Sequence, residues 1–338
     1  MTDTTIPTAR LGAAGPEVGV QGLGCMGMSF AYGPADAKQS RAALDRAFAL
    51  GVTLYDTADA YGVGENERFL SPFFKAHRDE LVIATKFALS IPPDEPTRRV
   101  IRNDRPYIRQ AVEASLQRLG IDVIDLYYMH RRDPAVPIED TVGAMAELVA
   151  EGKVKHLGLS EVTGAELRAA HAVHPVAAVQ SEWSLFSRDV EISLVGAAAE
   201  LGVAVVPYSP LGRGFLTGSF ANADQDLTEG DFRRTQPRFT GENAAANATL
   251  LDPVRTVAEA HGASLGQIAL AWVQQRSQVH GLPVIPIPGT TKPGRVEENT
   301  AATRIVLTDD ELSLLEPIAG KVAGDRYADM TFTSSNRE

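Results

Sequence analysis

Short apolar runs alternate with amphipathic stretches along almost the whole chain. Seven of these runs are rich in Val, Ile and Leu, and each has the length of a strand. They are residues 52–55, 81–85, 123–128, 154–159, 176–180, 203–207 and 284–287, and an eighth strand is expected near residues 20–24. Helical periodicity fills the intervals between them, and its longest stretch predicts one helix over about residues 248–277. Because strands this apolar are typical of strands buried on both faces, the pattern predicts a parallel sheet covered by helices.

Eight strands that alternate with helices, without an internal linker, predict an α/β fold of the (β/α)8 TIM barrel class. A doubly wound open sheet is the alternative. Two segments depart from the alternation. Residues 6–21 contain several Gly and Pro residues and predict an N-terminal hairpin that closes the bottom of the barrel, while residues 212–247 form a long polar loop after strand 7. A loop of that length is usually functional, and this one is expected over the mouth of the barrel.

Composition narrows the class of protein. The 338 residues are 44% hydrophobic and 22% charged, with a formal net charge of −11 that disfavours a nucleic acid partner. No apolar run approaches the length of a membrane span, and the N-terminal residues lack the features of a secretory signal. The single cysteine, Cys25, cannot form an internal disulfide, so we expect a reducing, cytoplasmic location. We predict a small-molecule partner and no metal site, and homo-oligomerisation stays open.

Side chains capable of chemistry stand at the ends of three consecutive predicted strands. Asp56 and Tyr61 follow the second strand, and Lys86 and His130 end the third and fourth strands. Because the C-terminal ends of neighbouring strands form the catalytic face of a barrel, we expect these four side chains to converge. Each alone has a structural alternative, such as a turn cap or a hydrogen-bonded core residue, but the set of four favours a functional site.

A carboxylate, a phenol, an ammonium and an imidazole together suit the reduction of a carbonyl group. Hydride delivered to the carbonyl carbon leaves negative charge on oxygen, so a proton donor is needed. Tyr61 is a weak acid, and we expect Lys86 beside it to lower its pKa by about 2 units, equivalent to about 2.7 kcal/mol. Asp56 would balance Lys86, and His130 would orient the substrate oxygen. The protein has no hydride of its own, so a cofactor is required.

Motifs in these regions and beyond resemble the aldo-keto reductase family. They are YDTADAYG at 55–62, ATK at 84–86, YYMH at 127–130, GLSE at 158–161, VQSEWSLFSR at 179–188, YSPLGRGFLTG at 208–218 and IPGTTKPGRVEEN at 287–299. The resemblance implies that residues 1–338 form one barrel domain with NADPH-dependent reductase activity. It also implies that Asp56, Tyr61, Lys86 and His130 are the catalytic residues, with Tyr61 as general acid. GLGCMGMS at 22–29, with LGLSE, is similar to the branch of pyridoxal-reductase-like and perakine-reductase-like members.

The same resemblance implies where NADPH binds. Ser160 and Gln180 would hold the nicotinamide carboxamide, and Tyr208 would stack on the nicotinamide ring. Residues 209–213 would follow the pyrophosphate, and residues 289–299 would meet the 2′-phosphate and the adenine. The full predicted set is Gly24, Cys25, Met26, Asp56, Ser160, Gln180, Tyr208, Ser209, Pro210, Leu211, Gly212, Arg213, Gly289, Thr290, Thr291, Lys292, Arg295, Glu298 and Asn299.

Two positions depart from the family pattern. Glu161 stands where many members have an asparagine that contacts the carboxamide, so that contact is expected to be lost or made differently. Gly289 replaces a lysine near the adenosine phosphate, which leaves the phosphate to Lys292 and Arg295. The aromatic residues expected either to line the substrate pocket or to lie in the core are Phe30, Tyr32, Phe87 and Trp183.

The sequence admits three other interpretations. Residues 22–27, GLGCMG, fit the dinucleotide-binding motif G-x-G-x-x-G, but Gly33 and Pro34 delay the next helix to about residue 36, so we reject this match. A barrel with Lys86 as a Schiff-base nucleophile is disfavoured because an ion-paired lysine stays protonated. A regulatory NADP(H)-binding subunit, similar to potassium-channel β subunits, stays open, although those proteins carry asparagine at the position of His130.

Overall fold

The computed structural model describes residues 5–90, 100–220, 226–335 and 337. Its centre is a sheet of seven parallel strands, in the spatial order β7-β6-β5-β4-β3-β2-β1. The strands are β1 (Leu23–Gly24), β2 (Leu54–Asp56), β3 (Val82–Phe87), β4 (Ile124–Met129), β5 (Val154–Ser160), β6 (Val176–Glu182) and β7 (Ala204–Tyr208). Sequential strands are therefore spatial neighbours, as in a barrel.

An eighth segment, residues 284–289, lies between the two edge strands and closes the barrel. Val284 forms a parallel bridge with Val205 of β7, and Gly289 forms one with Gly24 of β1. Glycine is needed at this closure because a Cβ at Gly289 would lie 2.9 Å from the backbone oxygen of Gly24. The predicted (β/α)8 barrel is confirmed, and the alternative of an open doubly wound sheet is wrong.

Helices cover the outside of the barrel. They are α1 (Ala37–Ala49), α2 (Glu65–Ala76), α3 (Arg105–Leu119), α4 (Ile138–Ala150), α5 (Gly164–Val173), α6 (Leu194–Leu201), α7 (Gly241–Thr249), α8 (Asp252–His261), α9 (Leu265–His280), α10 (Pro293–Ala301) and α11 (Asp309–Leu315). Local sequence explains several starts, since α5, α9 and α11 each begin with a capping box, at Thr163, Ser264 and Thr308. The helix α1 begins only at residue 37, which is consistent with our rejection of the dinucleotide motif at 22–27.

The N-terminal hairpin closes the bottom of the barrel, as predicted. Strands Thr8–Arg10 and Glu17–Gly19 pair antiparallel. Leu11, in the turn between them, is fully buried and packs in one cluster with barrel residues that include Leu54 and Leu126. A second short hairpin, which pairs Leu89–Ser90 with Val100–Ile101, follows β3.

The region after β7 is long, but it is more ordered than the polar sequence suggested. It contains short 3-10 helices at Gly212–Thr217, Phe232–Thr235 and Pro237–Phe239, and residues 221–225 lie outside the described residues. The helix predicted over 248–277 is wrong as a single element, because α8 and α9 are separate helices. Gly262, between them, has a φ of +59°, a left-handed conformation that ends a helix at little cost for glycine.

Candidate active site

A cavity of about 620 Å³ opens at the C-terminal ends of the barrel strands. Several strands contribute one wall residue each. Gly24 and Asp56 end β1 and β2, His130 follows β4, and Tyr208 ends β7. Loops that follow the strands complete the wall. The cavity therefore lies on the face of the barrel where the sequence predicts a site.

The four predicted catalytic side chains meet at one wall of this cavity. Lys86 is fully buried, forms an ion pair with Asp56, and donates from Nζ to the backbone oxygen of Thr57 at 2.8 Å. Lys86 Nζ also lies within hydrogen-bonding distance of Tyr61 Oη, at 3.3 Å. The ring of His130 lies 5.8 Å from the ring of Tyr61, in an edge-to-face arrangement. Tyr61 and His130 line the cavity, and Lys86 reaches it through the hydroxyl of Tyr61.

Burial decides the ionisation of Tyr61. It raises the pKa of the phenol above its usual value of 10, while the nearby Lys86 ammonium acts in the opposite direction. The expected lowering of the Tyr61 pKa is therefore wrong in sign, because it counted the ammonium but not the loss of water around the ring. For Lys86, burial lowers the pKa, but Asp56 and Tyr61 outweigh burial and the net pKa is raised. The pair is thus a neutral phenol beside an ammonium, which disfavours a Schiff base at Lys86.

A buried amide at the start of α2 holds the loop that carries Tyr61. Asn66 Oδ1 accepts a hydrogen bond from Thr57 Oγ1 at 2.6 Å, and Asn66 Nδ2 donates to the backbone oxygen of Cys25 at 2.9 Å. These bonds tie the ends of β1 and β2 to the helix. Phe30 stacks against Tyr61, with 6.3 Å between the ring centres and 14° between the planes. Packing and hydrogen bonding together therefore fix the position of the phenol.

Most of the residues predicted to bind the cofactor line the same cavity. They are Gly24, Met26, Asp56, Gln180, Tyr208, Ser209, Pro210, Leu211, Arg213, Gly289, Thr290, Thr291, Arg295, Glu298 and Asn299. The wall therefore combines an aromatic ring at Tyr208, a guanidinium at Arg213 and the N-terminal turn of α10. Guanidinium groups and helix N-termini are both suited to phosphate groups.

Four predicted cofactor residues do not lie on the cavity wall. The Cys25 thiol is fully buried and donates to the backbone oxygen of Leu23 at 3.6 Å. Ser160 is 1% exposed, and its hydroxyl accepts a hydrogen bond from the guanidinium of Arg131 at 3.2 Å. Gly212 is buried beneath the turn that follows β7. Lys292 is exposed to solvent just before α10. Its side chain could therefore contact a ligand only from the outer side of the cavity.

Glu161 turns away from the cavity and holds the C-terminal tail, which we define as residues 322–335. Glu161 is 1% exposed and forms a two-pronged ion pair with Arg326, with N–O distances of 3.1 and 3.2 Å. It also accepts from the backbone N–H of Ser334 at 3.1 Å. Burial raises the pKa of Glu161, but the guanidinium groups of Arg326 and Arg131 outweigh burial and lower it to about 2. This carboxylate is therefore ionised and bound to residues of the tail.

The same tail reaches the cavity wall through Tyr327. The hydroxyl of Tyr327 lies 3.1 Å from that of Tyr208, which in turn donates to Glu161 at 2.7 Å. Arg213 also donates to the Tyr327 hydroxyl. Sequence analysis missed Arg326 and Tyr327, because the tail has no motif or periodicity and its partners are distant along the chain.

The region after β7 crosses the cavity mouth to the loop after β1. The backbone N–H of Phe232 donates to the oxygen of Ala31 at 3.1 Å, and the ring of Phe232 lies 5.7 Å from that of Tyr32. The guanidinium of Arg233 lies 4.7 Å from the centre of the Tyr32 ring. These contacts match the predicted place of the long loop over the mouth of the barrel.

The aromatic residues expected near the substrate divide into two pairs. Phe30 and Tyr32 line the cavity. Phe87 and Trp183 are fully buried in the core and do not line it. Phe87 stacks on Tyr127 with 5.1 Å between ring centres. Its side chain points outward from the barrel, because successive residues of a strand face opposite sides and the preceding Lys86 points inward.

Sequence analysis also missed Arg131, a cation on the cavity wall. It follows His130 directly and is 9% exposed. The signal that pointed to His130, a polar residue at the C-terminal end of a barrel strand, applies to Arg131 equally well.

A buried phenol–ammonium–carboxylate set, placed in a deep cavity at the C-terminal face of a (β/α)8 barrel, defines a barrel enzyme as the class of protein. Comparison with known proteins then gives the family. The sequence model of the Aldo/keto reductase family matches residues 22–319. Over 333 residues the chain is 41% identical to a protein named probable aldo-keto reductase 1 from Glycine max, which spans 97% of this chain and 93% of that one. The chain belongs to the aldo-keto reductase family.

Solved structures agree with this assignment. A glycerol dehydrogenase from Gluconobacter oxydans, AKR11B4, superposes with a TM-score of 0.80 at 27% identity, and the match covers 98% of this chain and 100% of that one. A thermostable aldo-keto reductase, Tm1743, solved with the inhibitor epalrestat, gives a TM-score of 0.73 at 27% identity, with 93% and 100% coverage.

Family membership sets the general class of reaction. Aldo-keto reductases are oxidoreductases that act on carbonyl groups with a nicotinamide cofactor. Within the described part of the chain, none of the helices has both the length and the apolar character needed to cross a membrane.

Proposed function

We propose that this protein reduces an aldehyde or a ketone to an alcohol with NADPH, and that Tyr61 is the general acid, assisted by Lys86, Asp56 and His130. The observation that carries the proposal is the contact of a fully buried ammonium with the Tyr61 hydroxyl, at 3.3 Å, on the wall of the cavity. A solvated surface tyrosine would lack such a partner.

The proposed chemical step is a proton transfer from Tyr61 Oη to the substrate oxygen. When bound, the nicotinamide supplies the hydride that reduces the carbonyl carbon. The neutral phenol donates its proton as negative charge develops on the substrate oxygen. Lys86 then stabilises the phenolate that remains, because its ammonium contacts the same hydroxyl. Asp56 keeps Lys86 charged and in place, and His130 lies across the ring of Tyr61 where it would orient the substrate.

The residues present fit a dinucleotide. The Tyr208 ring offers a flat apolar surface next to the catalytic wall, and Arg213 follows it along the cavity. At the far end, Thr290, Thr291 and Arg295 surround the first turn of α10, where the positive end of the helix dipole favours an anion. We propose that Arg295 and the exposed Lys292 favour NADPH over NADH, because both are cations near this turn.

We also propose that the protein belongs to one branch of the family and that it is located in the cytoplasm. The GLGCMGMS and LGLSE segments support the branch of pyridoxal-reductase-like and perakine-reductase-like members. The single, fully buried cysteine is in keeping with a reducing cytoplasm.

A panel of aldehydes and ketones, followed by oxidation of NADPH and in parallel of NADH, tests the function. We expect turnover of at least one carbonyl compound with NADPH. Tyr61→Phe should lower kcat by about 10²–10⁴-fold, as expected for loss of a general acid, and should leave NADPH binding nearly unchanged.

Tyr107→Phe is the matched control, since its hydroxyl lies 3.5 Å from Asp59 and off the cavity wall. This variant should keep full activity. Turnover of Tyr61→Phe within threefold of the wild type would show that Tyr61 is not the acid, and tight NADPH binding without reduction of any carbonyl would favour a regulatory subunit.

A further inference from the structure

Arg131 is a buried cation on the cavity wall that interacts with the Glu161 carboxylate only at longer range, without a salt bridge among the described residues. Its Nη1 donates to the backbone oxygen of His130 at 2.7 Å and to Ser160 Oγ at 3.2 Å. Among residues 5–90, 100–220, 226–335 and 337, no carboxylate forms a salt bridge with it. A buried guanidinium is costly unless its donors are satisfied, so this position calls for an acceptor.

Part of the guanidinium is available to a ligand. Arginine carries five N–H donors in a planar fork, and the two protein bonds of Arg131 both use Nη1. Within the described residues, Nε and Nη2 form no hydrogen bond, and Arg131 faces the cavity. An acceptor for Nε and Nη2 would therefore have to be a ligand in the cavity.

The surroundings of Arg131 show which kind of acceptor fits. Its guanidinium carbon lies 6.0 Å from the centre of the Tyr208 ring. Gln180 also lines the cavity, and its Nε2 donates to Asp56 Oδ2 at 2.7 Å. Because Asp56 can only accept, this bond fixes the orientation of the Gln180 amide and leaves its oxygen as an acceptor. A flat ring lying on Tyr208 would thus have a donor, Arg131, and an acceptor, Gln180, near its edge.

A primary carboxamide is the group that matches one donor and one acceptor. We infer that Arg131 donates to the carbonyl oxygen of the nicotinamide carboxamide, while the side-chain oxygen of Gln180 accepts from the carboxamide N–H. Arg131 is thus a positioning residue for the cofactor, and this inference rests on the proposed function. Glu161 cannot supply the donor, because a carboxylate only accepts and its oxygens are bonded to Arg326, Tyr208 and Ser334.

The competing ligand for Arg131 is an anionic group of the substrate. The place of Arg131 disfavours it, because Arg131 contacts Ser160 at the end of β5 and faces Tyr208 on β7, whereas Tyr61 follows β2 on the other side of β4. An anion held there would lie next to the Tyr208 ring, although Arg131 is also close enough to Tyr61 to act on its pKa.

The test compares two ligands that differ only in the nicotinamide. We would measure the Kd of NADPH and of 2′-phospho-ADP-ribose by calorimetry for the wild type and for Arg131→Met and Arg131→Lys. Arg131→Met should weaken NADPH by about tenfold, the value of one charge-assisted hydrogen bond, and leave 2′-phospho-ADP-ribose within twofold. Arg131→Lys, which keeps the charge but not the fork, should fall between. The 3-acetylpyridine analogue of NADP retains the carbonyl oxygen, so Arg131→Met should weaken it by the same factor.

Other outcomes would overturn the inference. Equal weakening of both ligands would assign Arg131 to the phosphates or to the fold, and thermal unfolding of each variant separates these two. Unchanged NADPH affinity, with a raised KM for 4-carboxybenzaldehyde but not for 4-methylbenzaldehyde, would assign Arg131 to a substrate anion. If the wild type binds no NADPH, the proposed function itself fails. If the wild type binds NADPH and Arg131→Met binds it equally well, only the role of Arg131 fails.

Discussion

Two buried ion pairs flank the cavity, and they differ in which of their contacts can act on a bound ligand. Lys86 and Asp56 join neighbouring strands, and Lys86 keeps one contact with the Tyr61 hydroxyl on the wall. Glu161 and Arg326 join the end of β5 to a residue 165 positions further along the chain. The Glu161 carboxylate also accepts from Ser334 in the tail, from the backbone N–H of Glu182, and from Tyr208, which already lies in the wall.

The two ion pairs therefore have different roles, one in catalysis and one in stabilising the fold. The first pair ends in a hydroxyl that can give up a proton to a bound substrate. The second pair ends in the ring of Tyr208, whose hydroxyl is bonded to Glu161 and to Tyr327. We therefore expect the Lys86–Asp56 pair to control the rate of reduction, and the Glu161–Arg326 pair to control stability and the shape of the cofactor wall.

The largest expected effect is on the first pair. Lys86→Met removes the ammonium that stabilises the Tyr61 phenolate, and kcat should fall by about 10²–10³-fold. It also leaves Asp56 buried without its partner, which should cost about 3–5 kcal/mol of unfolding free energy. Single-turnover oxidation of NADPH and urea unfolding measure the two effects.

A double variant separates rate from folding. In Lys86→Met with Asp56→Asn, no buried charge is left unpaired, so most of the stability should return while kcat stays low. Recovery of kcat in the double variant would mean that the single variant was slow only because it was unstable.

The second pair should respond in the opposite sense. Arg326→Met leaves Glu161 buried and unpaired, and we expect a loss of about 3–5 kcal/mol in unfolding free energy. The value of kcat at saturating NADPH should stay within about threefold of the wild type, because Lys86, Asp56 and Tyr61 do not contact the tail. A fall in kcat as large as that of Lys86→Met would abolish the distinction between the two pairs.

The smallest effect is expected at an exposed cation that belongs to neither pair. Lys292→Ala should raise the KM for NADPH by about fivefold and leave the KM for NADH nearly unchanged, because an exposed contact with a 2′-phosphate is worth about 1 kcal/mol. The exposed Lys321, which lies in a short helix outside the cavity wall, offers the control Lys321→Ala. Equal changes for NADPH and NADH would remove Lys292 from the 2′-phosphate site.

The sequence predicted the features whose signal is local. The alternation of apolar runs predicted the barrel, and the ends of three runs predicted the place of Asp56, Tyr61, Lys86 and His130. Both follow from rules about single strands and their immediate neighbours. The helix boundary at Gly262 was missed because apolar periodicity continues through it, although glycine there permits the left-handed conformation that ends α8.

The features that the sequence could not predict depend on distant contacts. Glu161 could be recognised as unusual, but its partner Arg326 lies in a tail without periodicity. Phe87 and Trp183 were candidate lining residues because they are aromatic and stand near strand ends, and only the direction of each side chain places them in the core. The sign of the Tyr61 pKa shift depends on how completely the ring is buried, which no motif reports.

The most direct test of the central claim is the pH profile of single-turnover reduction, measured after brief pH jumps with saturating NADPH and substrate. Burial raises the pKa of Tyr61, and the neutral phenol is the acid. The rate constant should therefore stay level through neutral pH and fall only as pH rises through the raised pKa, above the usual value of 10 for tyrosine. The residual rate of Tyr61→Phe should lack this fall. A wild-type rate that declines with a midpoint well below pH 10 would contradict the raised pKa of the buried phenol. A Tyr61→Phe variant with the same profile as the wild type would contradict the assignment of Tyr61 as the proton donor.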